Sequence, residues 1–223
     1  MRYRHEWKHE INNADMLILR QRLNTVMKPD VHGCGGKYFI RSLYFDTPGD
    51  TALREKLDGI NIRDKFRIRY YDLNPSVIHL EKKSKRNGLG SKESASLNAK
   101  EAQQIVDGDL EWMRDDHRPL VRELYGKMQT QGLRPKTIVD YTREAFTFPA
   151  GNVRVTLDYN IRTGLRSTDF LNPNCPTIPA GDSPNILEVK WDEFLPSVIR
   201  DIVQLESRHT SAFSKYAICR IYD

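Results

Sequence analysis

Between Asp64 and Tyr71 the chain alternates strictly. Lys65, Arg67 and Arg69 share one parity, and Phe66, Ile68 and Tyr70 take the other. A β-strand sends successive side chains to opposite faces, so the segment predicts a strand with charge on one side and apolar groups on the other. The arrangement recurs. Glu81, Lys83 and Lys85 share a parity opposite Leu80. Arg154, Thr156 and Asp158 stand opposite Val153, Val155 and Leu157, and Glu188 and Lys190 opposite Leu187, Val189 and Trp191. Glu6, Lys8 and Glu10 alternate more weakly near the N-terminus, and Arg143 lies in a sixth such segment.

Strands are expected over residues 3–11, 38–46, 65–71, 77–85, 92–97, 136–148, 153–159, 161–167 and 186–191. Helices are expected between them. The first follows an Asn12-Asn13 cap, carries Leu17, Leu19, Leu23, Val26 and Met27, and stops at Pro29. Shorter ones are read over residues 51–57, 98–106, 117–131 and 196–207. In the 117–131 helix Pro119 sits in the first turn, Gly132 supplies the C-terminal cap and His117 is a candidate N-terminal cap. Turn chemistry marks 47–50, Asp58-Gly59 and Asn74-Pro75-Ser76. Residues 86–91 read as a flexible basic loop, and the four prolines of 172–184 as another loop. Residues 211–222 close the chain. Neither an internal repeat nor a linker is visible, so residues 1–223 are read as one domain.

Composition narrows the field without naming a function. With 39% hydrophobic and 29% charged residues in 223, the chain is polar yet long enough to bury a core. Its net charge of +5 favours an anionic partner. Cys34, Cys175 and Cys219 are sparse and widely spaced, which suits a reducing compartment and not a cysteine zinc site. The six histidines have no metal-binding spacing, and Gly33, Gly35 and Gly36 lack the phosphate-loop pattern. The N-terminal ten residues lack the apolar core of a secretory signal, and no run is apolar enough to span a bilayer. The expectation is a soluble, cytoplasmic protein without direct membrane insertion, any membrane association passing through a partner. No nucleic-acid-binding module is recognised, so nucleic acid is not an expected partner.

The recurrent charged face admits two structures. In an open antiparallel sheet it meets bulk water. In a closed barrel the charged rows converge on a lumen. Few acids stand between the Arg and Lys positions, and a lumen lined with cations repels itself unless an anion fills it.

Six segments in order carry a family likeness: Arg4-His5-Glu6-Trp7-Lys8-His9-Glu10-Ile11, Arg41-Ser42-Leu43-Tyr44-Phe45-Asp46, Lys65-Phe66-Arg67-Ile68-Arg69-Tyr70, Leu80-Glu81-Lys82-Lys83-Ser84-Lys85, Ile186-Leu187-Glu188-Val189-Lys190 and Phe213-Ser214-Lys215-Tyr216. Together they resemble the VTC domain, the polyphosphate polymerase domain of the triphosphate tunnel metalloenzymes, in its stand-alone prokaryotic-type form. The resemblance implies an α+β fold: a closed antiparallel β-barrel, or triphosphate tunnel, with a charged lumen and flanking helices. It implies transfer of the ATP γ-phosphoryl group to a growing polyphosphate chain with Mn²⁺ or Mg²⁺. A hydrolase of tripolyphosphate or nucleoside triphosphates on the same fold, and a non-catalytic polyphosphate-binding module, are the alternatives. By motif position Lys8, Arg67, Arg69, Lys83, Arg143 and Arg154 are the expected catalytic residues. These six, with Lys92, Lys190 and Lys215, are the expected phosphate contacts, and Glu188 the metal ligand. Two departures stand out. The N-terminal motif is Glu6-x-Lys8-x-Glu10 and not the E-x-E-x-K of the CYTH branch, and Glu93 and Ser94 follow Lys92 where a further basic residue is common.

Overall fold

The computed structural model of the protein describes residues 4–205 and 213–221. In chain order its elements are β1 (His5–Ile11), α1 (Asn13–Val26), β2 (Lys28–Pro29), β3 (Lys37–Asp46), α2 (Thr51–Leu57), β4 (Ile62–Tyr71), β5 (Asn74–Arg86), β6 (Leu89–Leu97), α3 (Ala99–Asp107), α4 (Pro119–Gln131), β7 (Arg134–Phe148), β8 (Val153–Thr163), β9 (Ile178–Pro179), β10 (Asn185–Trp191), α5 (Ser197–Val203) and α6 (Lys215–Ile218). The strands form one antiparallel sheet in the order β1-β10-β8-β7-β3-β4-β5-β6, with β2 and β9 paired to β7 and β8 at its ends.

Local chemistry accounts for the elements. Asn12 caps α1 by accepting from the Asp15 amide, while the Asp15 carboxylate accepts from the Asn12 amide. Asn98 and Glu101 repeat this box at α3, and left-handed Gly108 and Gly132 end α3 and α4. The apolar stripe of α1 buries Leu19 and Leu23, but Leu17 faces out and Met16 packs in its place. His117 caps nothing. Its side chain is exposed, and Arg118 holds the cap position of α4.

Two turn expectations are corrected. The β4–β5 turn lies at Asp72-Leu73, both left-handed, so Asn74-Pro75-Ser76 is already strand. Residues 86–91 are not a flexible loop: Arg86 pairs with Leu89 around left-handed Asn87-Gly88, a hairpin turn that favours this dipeptide. The two strands expected over 153–159 and 161–167 are one, β8, which continues through left-handed Asn160 with a register shift and ends at Thr163, so that residues 164–167 are not strand. The expected last helix begins at Ser197 and ends at Val203; residues 206 and 207 of its expected span, and part of 211–222, lie outside the described residues.

Helices cover the apolar face of the sheet in two groups. α3 and α4 bury Ile105, Leu120, Val121 and Leu124 against Phe66, Ile68, Leu80 and Ile138. α1 and α5 bury Leu19, Leu23 and Ile199 against Val155, Leu157, Leu187 and Val189. The opposite face is also buried. Arg67, Arg69, Glu81, Asp158 and Glu188 are each at most 5% exposed. It holds a third cluster, in which Tyr38, Ile40, Tyr141, Ile161 and Ile186 meet Tyr216 and Cys219 from the C-terminal segment. The charged face is therefore an inner face and not a solvated one. The expected barrel is met in part. The sheet curls, so that Lys83 on β5 feels Lys190 and Glu188 on β10. Yet its edge strands meet at one bridge, from the Arg4 amide to the Gly90 carbonyl (3.2 Å), with no hydrogen-bonded ladder among the described residues. No helix of the described residues is long and apolar enough to cross a membrane.

Candidate functional site

Strand register builds the site in rows. On β4 and β5, Arg67 stands opposite Glu81, Lys65 opposite Lys83 and Arg63 opposite Lys85; on β6, Lys92 stands opposite Lys83. The Arg67 row is internally satisfied. Its guanidinium donates from Nε to Glu81 Oε2 (2.7 Å) and from Nη1 to the Tyr44 hydroxyl (2.8 Å). Lys92 donates to Glu81 Oε1 (2.9 Å), and Arg69 Nη1 lies 3.8 Å from Oε2. Burial works against the Glu81 charge, but Arg67, Arg69 and Lys92 hold the carboxyl far below its usual range. Arg69 also donates to Ser42 Oγ (3.0 Å) and the Tyr141 hydroxyl (2.8 Å).

A second constellation comes from β1, β7, β8, β10 and α6. Arg143 grips Asp158 with two bonds (2.6 and 2.7 Å), and Lys215 reaches the same carboxylate at 2.6 Å. Burial opposes the Asp158 charge, but Arg143 and Lys215 hold its carboxyl at about 2. Arg143 extends to Glu188 Oε2 at 3.5 Å. Glu188 Oε1 forms an ion-pair contact with Lys190 Nζ, and Lys190 and Lys8 reach Glu6 at 3.3 and 3.0 Å. Burial would raise the Glu188 carboxyl, but Lys190 and Lys8 keep it well below the carboxylate range. Burial lowers Lys8 most strongly of any single influence, but Glu188 and Glu6 together raise its ammonium above the ordinary value. Tyr141 joins the constellations: the cationic ends of Arg69, Arg143 and Lys215 lie 5.8, 5.5 and 4.8 Å from its ring centroid.

The Lys65–Lys83 row differs. Among the described residues neither lysine makes an ion pair, although they face each other across two strands and Lys92 flanks Lys83. Directly opposed like charges destabilise a sheet. Arg67, followed by burial and Lys190, holds the Lys83 ammonium well below its ordinary value. Burial, with Arg63 and Lys56, brings Lys65 down to about 7; its ammonium rests over the Tyr216 ring at 5.2 Å.

The structure thus brings Lys8, Arg67, Arg69, Lys83, Arg143, Glu188, Lys190 and Lys215 into one inner constellation. Lys92 lies at its rim, half-exposed, and is tied in through Glu81. Arg154 stands to one side, paired with Asp30 at 2.7 Å and donating to the Tyr38 hydroxyl. The expectation of few acids is corrected: Glu81, Asp158, Glu188 and Asp30 sit among the arginines as direct partners. Glu81 and Asp158 share the parity of the expected cations, which is the signal that identifies them. Tyr44 and Tyr141 leave no comparable signal, because aromatic residues occupy both faces. The departure after Lys92 has a structural reading. Glu93 points to the other face, where it meets Lys82 at 3.6 Å, and Ser94 stands opposite Glu81, leaving that position without a further cation.

No set of three His, Cys, Asp or Glu side chains among the described residues is arranged to hold a metal ion. Glu188 nevertheless suits a divalent ion that takes most of its ligands from phosphate and water. Its Oε1 is buried without an aligned hydrogen bond, as is Oγ1 of Thr156, its cross-strand neighbour on β8.

No curated protein matches the sequence. Among solved structures, the chain is similar to HpAC1 from Hippeastrum, a candidate adenylyl cyclase reported to have a dominant triphosphatase activity, with TM-score 0.60, 13% identity, and 98% of this chain and 95% of that one covered. It is also similar to the PH1012 protein from Pyrococcus horikoshii OT3, with TM-score 0.53, 12% identity, and 96% and 98% covered. At these identities the likeness is one of fold. The family profile described as the VTC domain matches residues 3–221, and the chain belongs to that family.

Proposed function

We propose that the protein is a polyphosphate polymerase: the curled sheet acts as a tunnel in which the γ-phosphoryl group of ATP is transferred to a growing polyphosphate chain. The observation that carries this reading is the Lys65–Lys83 row, two opposed inner-face lysines without an ion-pair partner among the described residues, flanked by Lys92. Cations in that state suit a bound polyanion, whose phosphate oxygens supply the missing counter-charge.

Phosphoryl transfer demands little covalent chemistry from a protein. It demands alignment, and neutralisation of charge on the transferred group and the leaving group. The terminal oxygen of the acceptor chain attacks the γ-phosphorus, and the bond to the β–γ bridging oxygen breaks with its electron pair leaving on ADP. Lys83, Arg67 and Arg69 hold the phosphates along β4 and β5, and Lys8, Arg143, Lys190 and Lys215 grip them from the facing strands and α6. Arg154 and Lys92 contact phosphates nearer the ends. Pairing fixes the arginine geometry in advance: Arg67 is held by Glu81 and the Tyr44 hydroxyl, and Arg143 by Asp158. Glu188, with Thr156 adjacent, would hold a divalent ion, Mn²⁺ or Mg²⁺, which when bound would supply Lewis-acid charge neutralisation.

A hydrolase is the second reading, favoured by the triphosphatase activity reported for the similar HpAC1 structure. Both readings use the same lining and differ in whether water or a phosphate chain attacks. Incubation of the purified protein with γ-labelled ATP and Mn²⁺, followed by separation of phosphate chains on a gel, tests them. The proposal expects a ladder of long chains. Labelled orthophosphate without a ladder moves the assignment to the hydrolase. Tight binding of tripolyphosphate without turnover of either kind leaves a binding module.

A further inference from the structure

One step along the strands from the Lys65–Lys83 row, toward the Asn87-Gly88 turn, stands another basic row that the proposed reaction does not use. Arg63 faces Lys85 across β4 and β5, two residues and about 7 Å beyond Lys65 and Lys83. Lys56, on α2, joins them: burial and Arg63, followed by Lys8 and Lys85, lower its ammonium. Lys85 responds in the same way to burial and to Arg63. All three side chains are only partly exposed. None of them forms an ion pair among the described residues, in a protein whose other inner cations are mostly paired. The nearby acids form no ion pair with the cluster among the described residues, although Glu6 raises Lys56 and Lys85 and Arg63 lowers Glu55. Asp46 accepts from the amides of Thr47, Ala52 and Leu53 and from the Tyr216 hydroxyl. Glu6 serves Lys8 and Lys190. Glu55 makes no ion pair with the cluster, and burial, with Asp64 and Asp46, raises its carboxyl.

We propose that Arg63, Lys85 and Lys56 form a second phosphate subsite, continuous with the central one, that takes the tail of a linear polyphosphate longer than three units. The proposal rests on the function proposed above and adds to it a direction: the chain leaves the centre toward the Asn87-Gly88 end of β4 and β5. Three features select this ligand. The row repeats the chemistry of Lys65–Lys83, cations without an ion pair among the described residues, it lies in line with that row, and it is built of donors only: two lysine ammoniums and the Arg63 guanidinium, which is held by the Ile60 carbonyl.

Isothermal titration with tripolyphosphate and with long-chain polyphosphate tests it, in the wild-type protein and in the Lys56→Gln/Lys85→Gln and Arg63→Gln variants. These substitutions break no ion pair, and unchanged thermal melts confirm the fold. The expected result is selective: affinity for the long chain falls about tenfold in the double variant and its salt dependence shrinks by about two phosphate contacts, while tripolyphosphate affinity stays put. Long-chain affinity that does not change, or an equal loss for both ligands, overturns the subsite. A wild-type protein that binds neither ligand overturns the proposed function itself, a separate outcome from failure of the variants.

Discussion

Two neighbouring rows on the same pair of strands have opposite electrostatic characters. Arg67 faces Glu81, and each is buried with its charge answered. One step along, Lys65 faces Lys83, and neither makes an ion pair with any described carboxylate. Folding explains the first row. An ion pair removed from water needs a well-aligned partner, and the guanidinium–carboxylate fork provides one. Folding does not explain the second, which costs stability and persists only if something else gains from it. The difference separates charge that the fold itself needs from charge that only a ligand can answer, within one face of one sheet.

The comparison can be broken most severely at Glu188. Glu188→Gln keeps the volume but removes the buried negative charge among Lys8, Lys190 and Arg143, and metal-dependent turnover is expected to fall on the order of 10²-fold or more, with tripolyphosphate binding in the absence of metal retained. Turnover at the wild-type rate would remove Glu188 from the site. Next in size is Arg67→Ala, which strips a buried partner from Glu81. Chemical denaturation should show a loss of ~3–5 kcal/mol, scaffold and site failing together. Lys83→Ala should do the reverse. Relief of the opposed lysines leaves stability unchanged or raises it by up to about 1 kcal/mol, while calorimetry finds tripolyphosphate bound about tenfold more weakly.

The smallest effect concerns pH, and its sign follows from Lys65. Burial and the Arg63 and Lys56 charges hold this ammonium down to about 7, against an ordinary 10.5. Between those values the unfolded chain holds a proton that the folded chain has released, so Lys65 makes the unliganded fold more stable as pH rises from about 7. Anion binding favours the charged form and works the other way: affinity should fall as pH rises from 7 to 9, with proton uptake on binding near neutrality. Binding that strengthens over that range would contradict the assignment of Lys65 to the ligand row.

Much of this was legible in the chain. The two-residue period of 64–71 and its later echoes identified the strands and the face they share, because alternation is a direct consequence of strand geometry. The Asn12 and Asn98 caps and Gly132 marked helix ends through local hydrogen bonding. The Asn87-Gly88 hairpin is written there too, in a dipeptide that favours left-handed backbone, although the basic residues around it suggest a solvated loop. Pairing was out of reach. Which cation meets Glu81 or Asp158 depends on register between strands far apart in sequence, such as β7 beside both β3 and β8. Burial of the charged face was equally hidden, because an open sheet and a curled one share the same alternation.

The central claim is that the Lys65–Lys83 row is ligand charge alone, whereas the Arg67–Glu81 row carries the scaffold as well as the site. Thermal melts of wild-type, Lys83→Ala and Arg67→Ala proteins, each with and without tripolyphosphate, test it most directly. The account predicts that Lys83→Ala melts at or above the wild type when unliganded and loses most of the ligand-induced rise, and that Arg67→Ala melts well below the wild type before any ligand is added. A Lys83→Ala protein that melts lower than the wild type yet keeps the full ligand-induced rise would contradict it.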